Sequence, residues 1–390
     1  MILMIAYTNY RRDPRVRRQA EALVEAGYRV VFLASQQPGE PDCETISGVE
    51  VIKLPGIKHR RVSMAGYLVD YALFFVLTMG HLLRHPRRYR LVHVNNMPDF
   101  LVLAAWWQRL TGTPVIHDVH DLMPELYAEK FESGDTHWLI KVLKLQERWA
   151  GGFASAVLTV EQHLKEIISG RGIDARKIYV LMNLPDDRIF AQRPIAAKPE
   201  SSRFVMVYHG TLARRLGLDI AMRAIARCRN DIPNLEFRII GAGEERENLI
   251  ALRDQLGLQA LVNFSDGFVP VQTIPALIAD ADVGLIPLRR SSGTDIMLPT
   301  KLLEYVSVGI TSIVPRTPTI TRYFDEGMVE FFEAEDVASL ADSMVRLYRD
   351  PARRLSLAAG AKTRFADVYR WSNHKLTYVN LVRGLIDRRR

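Results

Sequence analysis

Cysteine is almost missing from this chain. Only Cys43 and Cys228 occur in 390 residues, which excludes a disulfide framework and a cysteine-based zinc site and fits a reducing compartment. The start, Met1-Ile-Leu-Met-Ile-Ala, has neither the basic n-region nor the cleavage site of a signal peptide. It reads as a buried first strand, and the protein is expected in the cytoplasm. Three motifs are absent as well. Without G-x-x-x-x-G-K-[ST] a P-loop kinase or ATPase is disfavoured, and without G-x-S-x-G so is an elbow-type hydrolase. Gly241-Ala-Gly243 lacks the third glycine of a dinucleotide fingerprint, which falls at Arg246. A tight strand-to-helix turn explains it as well as phosphate binding does.

The rest of the composition is ordinary. Apolar types make 48% and charged types 25%, which excludes disordered, collagen-like and coiled-coil chains, and the length suits two domains. The net charge is +8, and it is concentrated. Lys53 to Arg90 holds eight Lys/Arg against the single acid Asp70, so the rest is nearly neutral. One basic segment argues against wrapping nucleic acid and for a local basic surface. Within it, Met64–Leu83 is an apolar stretch interrupted by Asp70 and His81. It reads as a helix packed on the first domain rather than a spanning one. Its flanks carry Lys58, Arg60 and Arg61 before, and Arg84, Arg87, Arg88 and Arg90 after. Arg60, Arg61, Arg87 and Arg88 are expected to dock the protein reversibly on an anionic membrane.

Strand-length apolar runs alternate with helical segments twice over, first from Ile2 to Val160 and again from Phe204 to Phe332. That alternation predicts two doubly wound, parallel α/β domains with a ligand cleft at the strand ends. Between them lies the Pro-, Ser- and charge-rich stretch 193–202. The expected division is 1–185, 186–365, and a C-terminal helix, 366–390, returning to the first domain.

Chemistry gathers at the strand ends of the second domain. His209-Gly210-Thr211-Leu-Ala-Arg214-Arg215 follows a strand and opens a helix, where glycine permits close backbone approach, the helix N-terminus favours an anion, and Arg214 or Arg215 would supply the charge. Further on, the polar loop Ser292-Gly293-Thr294-Asp295 leads to Thr300, a candidate cap, and to Lys301 and Glu304 on one helix face. A cation there can pair with a pyrophosphate, and the carboxylate can accept from a ribose diol. A plain surface Lys–Glu pair has the same spacing. In the first domain, His117-Asp118-Val-His120-Asp121 with Glu125 offers metal-type side chains, but such short spacings on one segment do not surround an ion. Asp280-Ala-Asp282 reads as a strand cap rather than a metal motif.

The run from His209-Gly-Thr-Leu through Gly217-Leu-Asp-Ile-Ala, Ile239-Ile-Gly-Ala-Gly-Glu, Asn263-Phe-Ser-Asp-Gly-Phe, Ala281-Asp-Val-Gly-Leu-Ile-Pro and Leu298-Pro-Thr-Lys-Leu-Leu-Glu-Tyr resembles the family-4 retaining glycosyltransferases of GT-B fold. Arg12-Asp-Pro-Arg-Val-Arg-Arg and Ile116-His-Asp-Val-His-Asp-Leu-Met-Pro-Glu look like that family's bacterial cell-surface-polysaccharide members. The resemblance covers almost the whole chain. It implies two Rossmann-like domains facing across a cleft, and a metal-independent hexosyltransferase moving a sugar from a UDP- or GDP-sugar to a glycan or polyprenyl-linked acceptor with retention. No cofactor, metal or nucleic acid is implied. Glu304 matches the second glutamate of the family's E-x7-E motif and is the expected ribose ligand. The first glutamate is replaced by Ile296, so Asp295, or backbone groups around Gly293, is expected to substitute. Both basic positions of the G-R-L…K-G signature are lost, and Arg214 with Lys301 is expected to replace them, beside Gly210, Thr211, Gly241 and Thr300. The resemblance makes His120 the side chain beside the donor sugar. A nucleotide-sugar 2-epimerase of the same fold, or a non-catalytic basic protein binding membrane or nucleic acid, are the rival readings.

Overall fold

The structure, a computed structural model, describes residues 1–56, 64–130, 137–191 and 203–388. The chain forms two compact units, Met1–Asn183 with Ser372–Arg390, and Leu184–Trp371. The breaks thus fall at 183 and 371, beside the expected 185 and 365.

In the first unit, strands β1 (Ile2–Ile5), β2 (Val30–Ser35), β3 (Cys43–Ile46), β4 (Val49–Leu54), β5 (Leu91–Asn95), β6 (Val115–Val119), β7 (Ala156–Thr159) and β8 (Ile178–Val180) form one sheet in the order β3-β4-β2-β1-β5-β6-β7-β8. All pairs are parallel except β3 with β4. Strands β1, β2 and β5 are buried along their full length, which is why β1 and β2 read as apolar runs, while β5 carries the buried polar residues His93 and Asn95. The edge strands β3 and β8 have no such run and were not expected as strands.

The helices are α1 (Pro14–Glu25), α2 (Met64–Arg84), α3 (Trp106–Leu110), α4 (Met123–Lys130), α5 (Trp138–Phe153) and α6 (Gln162–Gly170). Asp13 starts α1 by accepting the backbone N–H groups of Arg15 and Val16, with Pro14 in the first turn. The chain crosses from β4 to β5, β5 to β6 and β6 to β7 in one direction, so right-handed connections put α2, α3 and α5 on one face of the sheet. The opposite crossing from β1 to β2 puts α1 on the other face. Helix α2 buries Phe74 and Leu82 in the sheet's core, and its Asp70 is buried, accepting from the Tyr7 hydroxyl at 3.3 Å. Among the described residues no helix is long and apolar enough to cross a membrane.

The second unit has strands β9 (Phe204–His209), β10 (Leu235–Ile240), β11 (Val262–Phe264), β12 (Val283–Leu285), β13 (Thr311–Pro315) and β14 (Glu330–Phe332), all parallel, in the order β11-β10-β9-β12-β13-β14. Its helices are α7 (Leu218–Cys228), α8 (Arg246–Gln255), α9 (Ile274–Leu277), α10 (Ser292–Asp295), α11 (Thr300–Ser307), α12 (Pro318–Tyr323), α13 (Val337–Arg349) and α14 (Pro351–Val368). The last helix, α15 (Trp371–Asp387), returns the chain to the first unit. There the Tyr378 hydroxyl and His93 Nδ1 share a hydrogen bond of 2.7 Å.

Candidate functional site

In the second unit, the loops leaving β9, β10 and β12 are laced together by their backbones. Gly210 N–H donates to the Ile240 carbonyl, Leu212 N–H to that of Ala242, and Arg289 N–H to that of Arg215. Two glycines make this approach possible. Gly241 has φ 144° and a side chain there would overlap the Gly210 carbonyl, while Gly217 has φ 67° and faces the Pro287 carbonyl. The Gly241 turn is therefore needed for loop-against-loop packing in its own right.

Onto this platform α11 delivers Lys301 and Glu304. Lys301 Nζ lies 3.8 Å from the centre of the Tyr208 ring, a cation–π contact, and beside Gly210. Burial pulls its pKa down to about 7; the Glu304 charge opposes this and the Arg215 charge reinforces it. Of the two adjacent arginines, Arg215 is the one whose charge bears on Lys301. Arg214 is exposed. The two sit in a 3-10 turn, Arg214–Leu216, where neighbours point about 120° apart. Glu304 Oε2 lies 3.3 Å from His209 Nε2. Burial, then the Lys301 charge, lowers the His209 pKa to about 3, so the ring is neutral beside Glu304. The cap of α11 is Pro299, which has no side-chain acceptor, and Thr300 is the first helical residue rather than the cap. The positive end of the helix dipole adds to Lys301 and Arg215.

The loop before α11 is built differently from expectation. Ser291 caps the short α10 through Thr294 N–H at 3.0 Å, and Gly293 and Thr294 are buried. Asp295 is clasped by Arg290 through both carboxylate oxygens. Its charge is already matched inside the loop, and Ile296 ends the turn. Asp282 accepts from Val205 N–H at 2.9 Å and Asp280 pairs with Arg238, the structural roles expected for both.

In the first unit, β6 sends successive side chains to opposite faces. His117 lies buried with Nε2 3.6 Å from Asp99. Asp118 points the other way, to Arg15 at 2.9 Å, Gln19 at 2.8 Å and His93 at 3.5 Å. Burial alone would raise its pKa, but the Arg15 charge, then His93, more than reverse this and hold it far below the usual carboxylate range. His120 lies just past the strand, partly exposed, 3.7 Å from Asp121. Asn96 fixes that loop, accepting from His120 N–H at 3.2 Å and donating to the Asp121 carbonyl at 2.7 Å. Burial, then Arg15, lowers the His120 pKa, which keeps the ring neutral. The strand's two-residue period thus separates the histidines and acids, and among the described residues no group of three could hold a metal. Arg87 and Arg88 are exposed after α2, whereas Arg60 and Arg61 lie outside the described residues.

Residues 13–183 match the Glycosyl transferase 4-like domain, and residues 203–350 match Glycosyl transferases group 1. The chain belongs to the glycosyltransferases of GT-B fold. Curated relatives of this glycosyltransferase include a GDP-mannose-dependent alpha-(1-6)-phosphatidylinositol monomannoside mannosyltransferase of Mycolicibacterium smegmatis, 25% identical over 63% of this chain and 66% of that protein. The chain thus spans just under two thirds of that relative. A 2-deoxystreptamine glucosyltransferase of Streptomyces kanamyceticus is 25% identical over 91% of this chain and 94% of its own. Among solved structures, sucrose-phosphate synthase from Thermosynechococcus elongatus superposes with TM-score 0.80 at 17% identity, 99% of both chains covered. Anabaena HepE in complex with UDP-glucose gives 0.72 at 15%, covering 98% of this chain and 99% of that one.

Sequence reasoning on this glycosyltransferase left Arg214 and Arg215 open and missed the Arg290 clasp on Asp295 and the whole buried Asp118 cluster. Arg15 and Gln19, four apart on α1, carried a signal, since they must share a helix face. Tyr378 carried none.

Proposed function

We propose that this glycosyltransferase transfers a hexose from a UDP- or GDP-sugar to a glycan or polyprenyl-linked acceptor with retention of configuration, in the synthesis of bacterial exopolysaccharide, capsule or O-antigen. It works in the cytoplasm, docked on the anionic inner face of the plasma membrane through its basic segment, with Arg87 and Arg88 among the contacts. The observation that carries the reading is Lys301 in the first turn of α11 beside Gly210, with Glu304 one turn on and the Arg215 charge acting on Lys301. The cations and the helix end suit a diphosphate, and the carboxylate suits a ribose diol. HepE holds UDP-glucose and the M. smegmatis relative uses GDP-mannose on a phosphatidylinositol mannoside, which supports a nucleotide-sugar donor and a lipid-borne acceptor.

In this mechanism the bond from the sugar to the β-phosphate oxygen breaks while the acceptor hydroxyl attacks the same face, forming the new glycosidic bond. The acceptor proton passes to the departing diphosphate. Lys301 and Arg215 stabilise the charge that develops there, so leaving-group stabilisation does not call for a divalent ion or a cofactor. Thr211 and Gly293 lie along the strand-end loops that would line the donor, with Asp295 beside them in its Arg290 clasp. His120, neutral and fixed by Asn96, positions the donor sugar.

Hydrolysis of a panel of UDP- and GDP-sugars, with EDTA present, tests the reading directly. The accompanying variant is Glu304→Ala, which removes a charge-assisted hydrogen bond of about 1.5–3 kcal/mol and is expected to weaken donor binding about 10- to 150-fold by calorimetry. Unchanged affinity would remove Glu304 from the site. For His120→Ala the expectation is a fall in kcat larger than the fall in donor affinity. Equal losses would make His120 a binding group only.

A further inference from the structure

Four of the chain's five tryptophans lie exposed on one face of the first unit. On α5, Trp138, Val142, Leu145 and Trp149 are 68, 48, 44 and 62% exposed. Their spacing of four, three and four residues draws a single stripe down the outer side of the helix. On α3, Trp106 and Trp107 are 40 and 39% exposed and Leu110 73%. On α2, Val69, Val76 and Leu83 continue the pattern, each at least 44% exposed. The crossover direction places all three helices on the same side of the sheet, and the 3-10 segment Asp99–Ala105 packs against both α2 and α5.

The charges that these three helices themselves expose are of one sign, and beyond α2 Arg88 has Glu50 at 3.9 Å. Helices α3 and α5 contain one acid, Glu147, which is buried against Arg171, and the acid of α2, Asp70, is buried too. Arg84, Arg109, Lys141 and Arg148 face solvent. Where α2 ends beside α3, a hollow of about 580 Å³ is lined by Leu83, Arg87, Arg88, Trp106 and Trp107. Apolar side chains ringed by cations, with tryptophans at the margin, suit the boundary between acyl chains and anionic head groups.

We infer that the outer faces of α2, α3 and α5 form one surface that inserts its tryptophans and aliphatic side chains into the head-group region of an anionic bilayer. The inference rests on the membrane docking proposed above and adds a second, apolar component to it. Burial of apolar surface is not screened by salt, whereas the attraction of Arg87 and Arg88 is.

The test uses the full chain with vesicles of phosphatidylcholine containing about one third phosphatidylglycerol, and with phosphatidylcholine alone. On the anionic vesicles tryptophan emission should shift to the blue and be quenched by lipids brominated in the acyl chain. Part of the binding should survive about 1 M salt. Joint replacement W138S, V142S, L145S and W149S, all at exposed positions, should lower vesicle affinity about tenfold or more and remove most of the shift. Donor hydrolysis in solution should stay unchanged. Arg87→Ser with Arg88→Ser should instead remove the salt-sensitive part and keep the shift. Vesicle binding with no blue shift, or binding untouched by the fourfold replacement, would overturn the insertion while leaving electrostatic docking standing. No vesicle binding at any salt would overturn both. A concentration-dependent dimer that the fourfold replacement dissociates, without loss of vesicle binding, would identify a second copy as the occupant and overturn the lipid assignment.

Discussion

Lys301→Ala is expected to lower kcat for glycosyl transfer by about 10²- to 10³-fold, the effect of removing one preorganised group from a developing negative charge. Donor affinity should fall less, because the ground-state diphosphate retains Arg215 and the helix end. The pH dependence is the sharper signature. In the free protein the Lys301 pKa lies at about 7, pulled down by burial and by Arg215 against the opposing Glu304 charge. A bound diphosphate favours the ammonium and raises that pKa. Binding therefore takes up a proton whenever the free lysine is neutral, and the sign follows. Affinity should be flat below pH about 7 and fall as pH rises, by up to tenfold per unit, until the raised pKa is passed. Calorimetry in buffers of different ionisation enthalpy would count the proton. Lys301→Arg, always charged, should abolish the slope while preserving much of the turnover. An affinity that is independent of pH between 6 and 9 in the native protein would sink the assignment of Lys301 to the diphosphate. The same depressed pKa costs stability while the lysine is charged, so stability should rise with pH from about 7 toward the unfolded value of 10.5.

The second large effect is on the first unit. Asp118→Asn keeps the shape of the side chain but leaves the buried Arg15 without its countercharge, with His93 and Gln19 pointing at an amide. Breaking a buried pair from one side typically costs about 3–5 kcal/mol. Denaturant unfolding followed by tryptophan emission should show a lower midpoint, and a change below about 1 kcal/mol would mean that water reaches Arg15. Replacing both partners by apolar residues, Arg15→Met with Asp118→Leu, should recover most of the loss. That recovery distinguishes an uncompensated charge from damaged packing. Because Asp118 is two residues from His120, whose pKa it and Arg15 both influence, the single variant should also move the pH profile of turnover.

How much of this was legible beforehand depends on the range of the interaction. Strands β1, β2 and β9 announce themselves, because a strand covered on both faces is mostly apolar, and β5, β10 and β13 remain legible through their apolar positions although they carry polar residues such as His93, Glu236 and Arg238. Edge strands β3 and β8 do not, because one flank meets water and their residues alternate or run short. In the site, Lys301 and Glu304 were readable because three residues along a helix is a local distance. Gly210 and Gly241 were noticeable as glycines at strand ends, yet only the structure shows that Gly241 is occupied with making room for the Gly210 carbonyl.

The amino-acid order by itself determined the two α/β units with their largely parallel sheets and the helix that carries Lys301 and Glu304, since periodicity and punctuation act within a few residues. Tertiary structure alone decided which of two adjacent arginines serves Lys301, that Asp295 is neutralised by Arg290, and that Tyr378 closes onto His93 from 285 residues away. It also decided that the tryptophans of α3 and α5 share one face. Each of these depends on the turn of a helix or the direction of a crossover, and a pairing across hundreds of residues leaves no period in the sequence from which to read it.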